Sequence, residues 1–205
     1  MWSGDATTTP DELIEAIEAT GIDVLFITDH STTNGAFELA SNLPCRVVVG
    51  EELRTGAGEL MGLFLTERIP YGVQPAEFCA RVRNQGGVVY VPHPFDPTRH
   101  ALREDVLTEL AEGGLIDAIE VFNGKVSLPH LNRKAAEFAA AFDLPGGAGS
   151  DAHVPDAVGA AFVEMPDFVN GTDFLAALRH GIIRGHHYDA ARTWRPRIVP
   201  STKAT

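Results

Sequence analysis

The sequence has 205 residues and a mass of 22.0 kDa, enough for one domain with at most a small appendage, and its 44% hydrophobic and 21% charged residues exclude extended disorder and a coiled coil. Its 28 acidic and 16 basic residues give a net charge of −12, which disfavours binding to nucleic acid or anionic lipid. Two cysteines without a Cys-x-x-Cys motif exclude a disulfide framework and a thiolate zinc site, and the absence of a long apolar run or a secretory signal predicts a cytoplasmic protein.

Helix signals alternate along the chain with short β-branched runs. The first helix is predicted from Thr9, because Thr9-Pro10-Asp11-Glu12 supplies a cap, a proline and an acidic first turn, and Gly21 ends it. Strands are predicted at Asp23–Ile27, Arg46–Val49, Leu60–Leu65, Val88–Val91, Ala118–Phe122, a Gly-rich run ending at Gly149, and Phe162–Met165. Further helices are predicted at Pro75–Asn84, Arg133–Phe142 and Thr172–His180. This alternation of helices with doubly buried strands predicts a parallel α/β sheet or barrel.

Polar residues follow five of the predicted strands at the points where they end. These residues are Thr28-Asp29-His30, Gly50-Glu51-Glu52, Pro92-His93-Pro94, Asn123 and Ser150-Asp151-Ala152-His153. The active site of a (β/α) barrel is built at the carboxyl ends of its strands. Three imidazoles and two carboxylates there predict a mixed nitrogen and oxygen site for Mn²⁺, Fe²⁺ or Zn²⁺. Two close cations would generate hydroxide and clamp the oxygens of a phosphoester, with Glu52 as the candidate bridge between them.

The ordered set of strand-end motifs resembles the PHP (polymerase and histidinol phosphatase) family over about residues 1–185. The motifs are Ile27–Thr32, Gly50–Glu52, Val91–Phe95, Ile119–Asn123 and Gly149–His153. The resemblance implies a distorted seven-stranded TIM-like (β/α) barrel, with two or three divalent ions (Mn, Zn or Fe) in a cleft at the strand ends. It also implies a metal-dependent hydrolase of phosphoric esters. The chain looks most like the small phosphoesterase branch, which acts on small phosphomonoesters or nucleotide phosphates.

The resemblance further implies roles for individual residues. Metal ligands are expected at Asp5, His30, Glu52, His93, Asp151 and His153. Glu52 matches the bridging ligand, and His30 and His153 match ligands of one outer metal. His93 matches a ligand of another metal, and Asp151 a ligand on the far side. Catalytic roles are expected for Glu52, Asp151 and His93.

Other candidates are less closely matched. Asp5 stands one place later than the commonest form of the family's loop. Glu59 stands where many members have a histidine, so it is either a substitute ligand or a surface acid. Substrate-binding residues are expected at Arg99, Asn123, Lys125 and Arg133, with Arg54 as a weaker candidate.

The start of the sequence departs from the family pattern. The family's first strand ends in His-x-His, and this sequence begins at Met1, after that point, so we expect the first barrel strand to be missing from this chain. Three explanations stay open: a miscalled start codon, a fragment, and a natural relative that lost one metal.

Residues 186–205 are expected to form a basic tail after the domain at 1–185. The expected partner is a small phosphorylated substrate, and no membrane contact is expected. Two alternatives remain: a non-catalytic or metal-depleted phosphate-binding domain, and an RNA or DNA exonuclease. The acidic balance argues mildly against the exonuclease and the basic tail mildly for it.

Overall fold

A computed structural model describes residues 3–188, so most of the predicted basic tail lies outside the described residues. The helices are α1 (Pro10–Thr20), α2 (Asn34–Leu39), α3 (Pro75–Asn84), α4 (Glu104–Glu112), α5 (His130–Ala141) and α6 (Gly171–Leu178). The strands are β1 (Val24–Ile27), β2 (Arg46–Thr55), β3 (Gly58–Leu63), β4 (Val88–Val91), β5 (Ala118–Asn123), β6 (Gly146–Gly149), β7 (Ala161–Glu164) and β8 (Ile182–Gly185). None of the described helices has both the length and the apolar character needed to cross a membrane.

Six strands form one curled half-barrel sheet in the order β1-β2-β3-β4-β5-β6, and β7 and β8 form a separate antiparallel pair. The β1–β2, β4–β5 and β5–β6 pairs are parallel, as predicted. The prediction of a parallel sheet is wrong at β3, which runs antiparallel to both β2 and β4. The reason is the connection: only Gly56 and Ala57 separate β2 from β3, whereas a parallel crossover needs a dozen or more residues.

The two faces of the sheet pack against different helices, because successive side chains of a strand point in opposite directions. On β4, Val89 and Val91 join a core cluster with residues of α3, α4 and α5. Val88 and Tyr90 on the same strand join a second cluster with Phe168 and residues of α6. The core therefore surrounds the middle of the sheet and leaves the strand ends for polar residues.

Several predicted elements are confirmed, and others were missed. The capping box of Thr9 and Glu12 opens α1, and α3 has the predicted bounds. Strand β2 continues six residues beyond its predicted end at Val49, and α2, α4 and β8 were not predicted. The longer β2 places Glu52 within a strand, yet still level with the end of β1, since His30 and Glu52 form an isolated parallel bridge.

Candidate metal centre

Two adjoining groups of histidine and carboxylate side chains lie at the strand ends, and His30 belongs to both. The first group is Asp5, His30 and His153, and the second is His30, Glu52 and Glu59. Within each group the potential ligand atoms all lie within 4.8 Å of one another. Three nitrogen and oxygen donors at this spacing suit a divalent cation such as Mn²⁺, Zn²⁺ or Fe²⁺. The donor chemistry of the described residues therefore fits the expected metal ions.

Glu52 links this pair of groups to His93. Its Oε1 lies 2.9 Å from His93 Nε2, and its Oε2 lies 3.8 Å from His30 Nε2. Glu52 is 5% exposed and His93 is 2% exposed, so water hardly screens the pair. His93 Nδ1 is buried and has no hydrogen-bond partner among the described residues. The two oxygens of Glu52 thus face two different imidazoles, as a carboxylate between two cations would.

Two imidazoles of the site, those of His30 and His93, have raised pKa values. Burial lowers the pKa of His93, but its hydrogen bond to Glu52 and the charge of that carboxylate outweigh burial and raise the pKa to about 9. A hydrogen bond to Asp5 raises the pKa of His30 to about 9, against the opposing effect of burial. Both rings are therefore cationic at neutral pH when no metal competes for them.

Asp5 reaches the site on the loop that precedes α1. Its Oδ2 lies 3.2 Å from His30 Nε2 and 3.1 Å from His153 Nε2, and Ser3 donates a hydrogen bond to its Oδ1. Although burial alone would raise its pKa, the two histidines lower the pKa of Asp5 well below the usual range. The loop is held in place by Thr7, whose backbone and side chain both donate to the carbonyl of His153.

A second half of the site centres on Asp151 and two cations. Arg99 Nη2 lies 2.5 Å from Asp151 Oδ2, and Lys125 Nζ lies 3.9 Å from Asp151 Oδ1 and 2.9 Å from His153 Nδ1. Burial would raise the pKa of Asp151, but the charges of Arg99 and Lys125 lower it. Burial lowers the pKa of Lys125. Both cations share the neighbour Asp151, which lies 3.3 Å from His153 of the first donor group.

The structure brings most of the predicted site residues together. Glu59 is 4% exposed and lies 3.7 Å from His93, so its interpretation as a surface acid is wrong. Asn123 is 1% exposed at the end of β5, where it lines the cleft and hydrogen-bonds Glu120 and the backbone of Lys125. Arg54 is exposed on β2. Arg133 is exposed on α5, where it lies 4.0 Å from Glu137, and the structure does not bring it to the cluster.

Two residues near the site were not predicted to have a role. Glu120, an acid inside the apolar strand β5, accepts hydrogen bonds from the backbone of His93 and the side chain of Asn123. That placement was a visible signal, because charged residues are rarely fully buried without a partner. Tyr188 donates from its hydroxyl toward the carbonyls of Ser150 and Asp151, and no pattern in the sequence pointed to it.

The pattern of a family described as PHP-associated matches residues 129–182. An uncharacterised protein of Methanocaldococcus jannaschii is 37% identical over 122 residues, which cover 58% of this chain and 68% of that protein. Another from the same organism is 38% identical over 141 residues, covering 64% of this chain and 60% of that protein, so the chain spans less than two thirds of this relative.

A solved structure shares the fold. It is a two-domain protein from Bacteroides vulgatus containing a predicted PHP-like metal-dependent phosphoesterase, and it matches with a TM-score of 0.66 at 19% identity. The match covers 90% of this chain and 62% of that one. Together with the family pattern and the archaeal relatives, these findings show that the chain belongs to the PHP family.

Proposed function

We propose that this chain is a metal-dependent phosphoesterase that hydrolyses a small phosphomonoester or a nucleotide phosphate. One observation carries the proposal: two adjoining histidine and carboxylate groups lie next to two largely buried cations, Arg99 and Lys125. The first feature suits divalent metal ions, and the second suits phosphate oxygens. The predicted PHP-like metal-dependent phosphoesterase contained in the Bacteroides protein supports the same reaction class.

The proposed ligand set assigns each side chain to one part of the site. Asp5, His30 and His153 would hold one outer ion, and Glu52 would be a shared ligand, because its two oxygens face His30 and His93. His93 would hold a second ion together with Glu52, and Asp151 would be a ligand on the far side of the site. Bound divalent ions would supply a nucleophile at neutral pH and neutralise charge on the phosphoryl oxygens.

The cations of the site would bind and orient the substrate. Both are engaged by Asp151, whose side chain is 10% exposed. With the oxygens of Asp151 serving as metal ligands, the guanidinium of Arg99 would be free to bind a phosphate group. Lys125 would place its ammonium on a neighbouring oxygen. These contacts explain how a chain of net charge −12 can accept an anionic substrate.

A further strand would complete the proposed barrel. In the described residues, β1 and β6 are the two edges of the six-stranded sheet, and both line a cleft of about 1260 Å³. The four residues of β1 are apolar and only half-buried. A strand between these edges would cover them and close the sheet into the barrel that the resemblance implies.

The test is phosphate release by the full chain after metal removal and reloading with Mn²⁺, Zn²⁺ or Fe²⁺. The substrates are a panel of phosphomonoesters and nucleotide phosphates. We expect turnover with at least one metal, and its loss in Glu52→Gln. The matched control is Glu51→Gln, because Glu51 is also buried on β2 but accepts a hydrogen bond from Ile69 on the opposite face.

Other outcomes would favour the alternatives. Thermal stabilisation by phosphorylated compounds without turnover would favour a non-catalytic phosphate-binding domain. Release of nucleotides from RNA or DNA, with no activity on small substrates, would favour an exonuclease. Turnover by Glu52→Gln at the rate of the parent chain would refute the assigned role of Glu52.

A further inference from the structure

Glu120 lies in the middle of β5 with its carboxylate between the ends of β4 and β6. It is 4% exposed. One oxygen, Oε2, accepts hydrogen bonds from the backbone N–H of His93 at 2.7 Å and from Asn123 Nδ2 at 2.8 Å. The other oxygen lies so close to Gly149 that a methyl group added there would collide with it. The carboxylate thus touches three strand ends at once.

Two of these strand ends have strained backbone. His93 has φ of 27° and Asp151 has φ of 51°, in the left-handed region that residues other than glycine rarely adopt. Such conformations persist only where surrounding groups hold them. The ladder of β4 ends at Val91, so the N–H of His93 depends on Glu120 for its partner. An apolar side chain in place of Glu120 would leave that buried N–H unsatisfied.

Asn123 connects Glu120 to Asp151, the residue that follows the end of β6. Its Nδ2 lies 2.8 Å from Glu120 Oε2 and 3.4 Å from Asp151 Oδ2, so a single amide group bridges the two carboxylates. Its Oδ1 accepts the backbone N–H of Lys125 at 2.8 Å. Asn123 is therefore placed to orient both Asp151 and Lys125.

We propose that Glu120 is a positioning residue of the site: it holds the strained turn that presents His93 and, through Asn123, orients Asp151. The inference rests on the proposed function for its catalytic consequence, because it deepens the description of the same site. Glu120 itself contacts neither group of metal donors. Its effect on metal binding passes through the backbone of His93 and the amide of Asn123.

Amide hydrogen exchange of the metal-free full chain tests this without relying on activity. In Glu120→Ala we expect the His93 amide to exchange about tenfold faster or more, because it loses the carboxylate that accepts its hydrogen bond. Glu120→Gln should keep the slow exchange, since one amide oxygen can accept both hydrogen bonds. Asn123→Ala should speed exchange around Asp151 and leave the His93 amide protected.

The matched control is Glu51→Ala, which removes another buried carboxylate of the same sheet, on β2. It should leave the exchange of the His93 amide unchanged. Unchanged protection of His93 in Glu120→Ala would overturn the proposal. Equal loss of protection across the whole sheet in Glu120→Ala and Glu51→Ala would also overturn it, because Glu120 would then be only a structural residue.

A Mn²⁺ titration by equilibrium dialysis gives the second measurement. We expect weaker binding in Glu120→Ala and near-parental binding in Glu120→Gln and Glu51→Ala. If the parent chain binds none of Mn²⁺, Zn²⁺ and Fe²⁺, the proposed function fails, and the exchange result still decides whether Glu120 positions His93. Parental Mn²⁺ affinity in Glu120→Ala would overturn the positioning role.

Discussion

Binding of divalent ions to the metal-free protein should release about two protons at pH 7.5. An imidazole must be neutral to bind a metal ion, and both His30 and His93 are protonated at this pH in the metal-free site. The hydrogen bond to Asp5 raises the pKa of His30 to about 9, against burial. Burial lowers the pKa of His93, but the contact with Glu52 outweighs it and raises that pKa to about 9 as well.

The free energy needed to displace each proton follows from the difference between pH 7.5 and these pKa values. Displacing one such proton costs about 2 kcal/mol, which lowers the apparent affinity of an ion that uses that histidine by about 30-fold. Because both pKa values are raised, the cost grows as the pH falls and vanishes above about 9. Over the range below 9, the affinity should change about tenfold per pH unit for each histidine used.

Isothermal titration calorimetry with Mn²⁺ measures the proton count, because the observed heat varies with the ionisation enthalpy of the buffer. His30→Gln and His93→Gln should each remove about one proton from the count. His130→Gln is the matched control, since His130 is exposed at the start of α5. Binding without proton release, or a proton count that neither site variant changes, would refute the assignment of these histidines as ligands.

Three further predictions concern stability. Gly149→Ala should destabilise the protein by about 1–3 kcal/mol in thermal melts, because the added methyl meets the carboxylate of Glu120; an unchanged melting temperature would contradict the packing described here. Arg99→Ala should cost about 3 kcal/mol in urea unfolding of the metal-free protein, because it removes the cation paired most closely with the buried Asp151 carboxylate. A cost below measurement would show that the pair is not buried in solution. The metal-free protein should lose stability as the pH rises from about 6.5 to 9. Protonated His93 stabilises the fold, and this stabilisation is complete below the unfolded-state pKa of 6.5 and lost above the folded-state pKa of about 9; a urea midpoint that rises over this range would contradict the prediction.

Most site residues could be predicted from the sequence because they follow the ends of predicted strands. Each apolar run stops where a histidine or carboxylate follows, and the carboxyl ends of parallel strands meet at one edge of a sheet. His30 after β1 and His93 after β4 were found this way, and the structure places both beside Glu52. The strand at β3 was predicted, but its antiparallel direction was not. The predicted second strand ended at Val49, which hid the two-residue connection that sets this direction.

The bounds of β2 show why local pattern was insufficient. Adjacent acids normally end a buried strand, so the prediction stopped at Val49. In the folded chain Glu51 and Glu52 continue the strand, because each finds a partner from a distant segment: Ile69 donates to Glu51, and His93 contacts Glu52. Those partners are 18 and 41 residues away along the chain, beyond the reach of any local rule.

Glu51 and Glu52 show how β2 can contribute to the site and still pack in the core. Because side chains alternate, Glu51 and Glu52 point to opposite faces, and only Glu52 faces the histidines. Glu120 extends this logic to β5, where a buried carboxylate serves the backbone of a neighbouring strand end instead of the cleft. Asp151, which follows a strand, and Glu52 could thus be predicted as site residues from the sequence. For Glu51 and Glu120, which also lie inside strands, the tertiary structure was needed to show the face and the partner of each carboxylate.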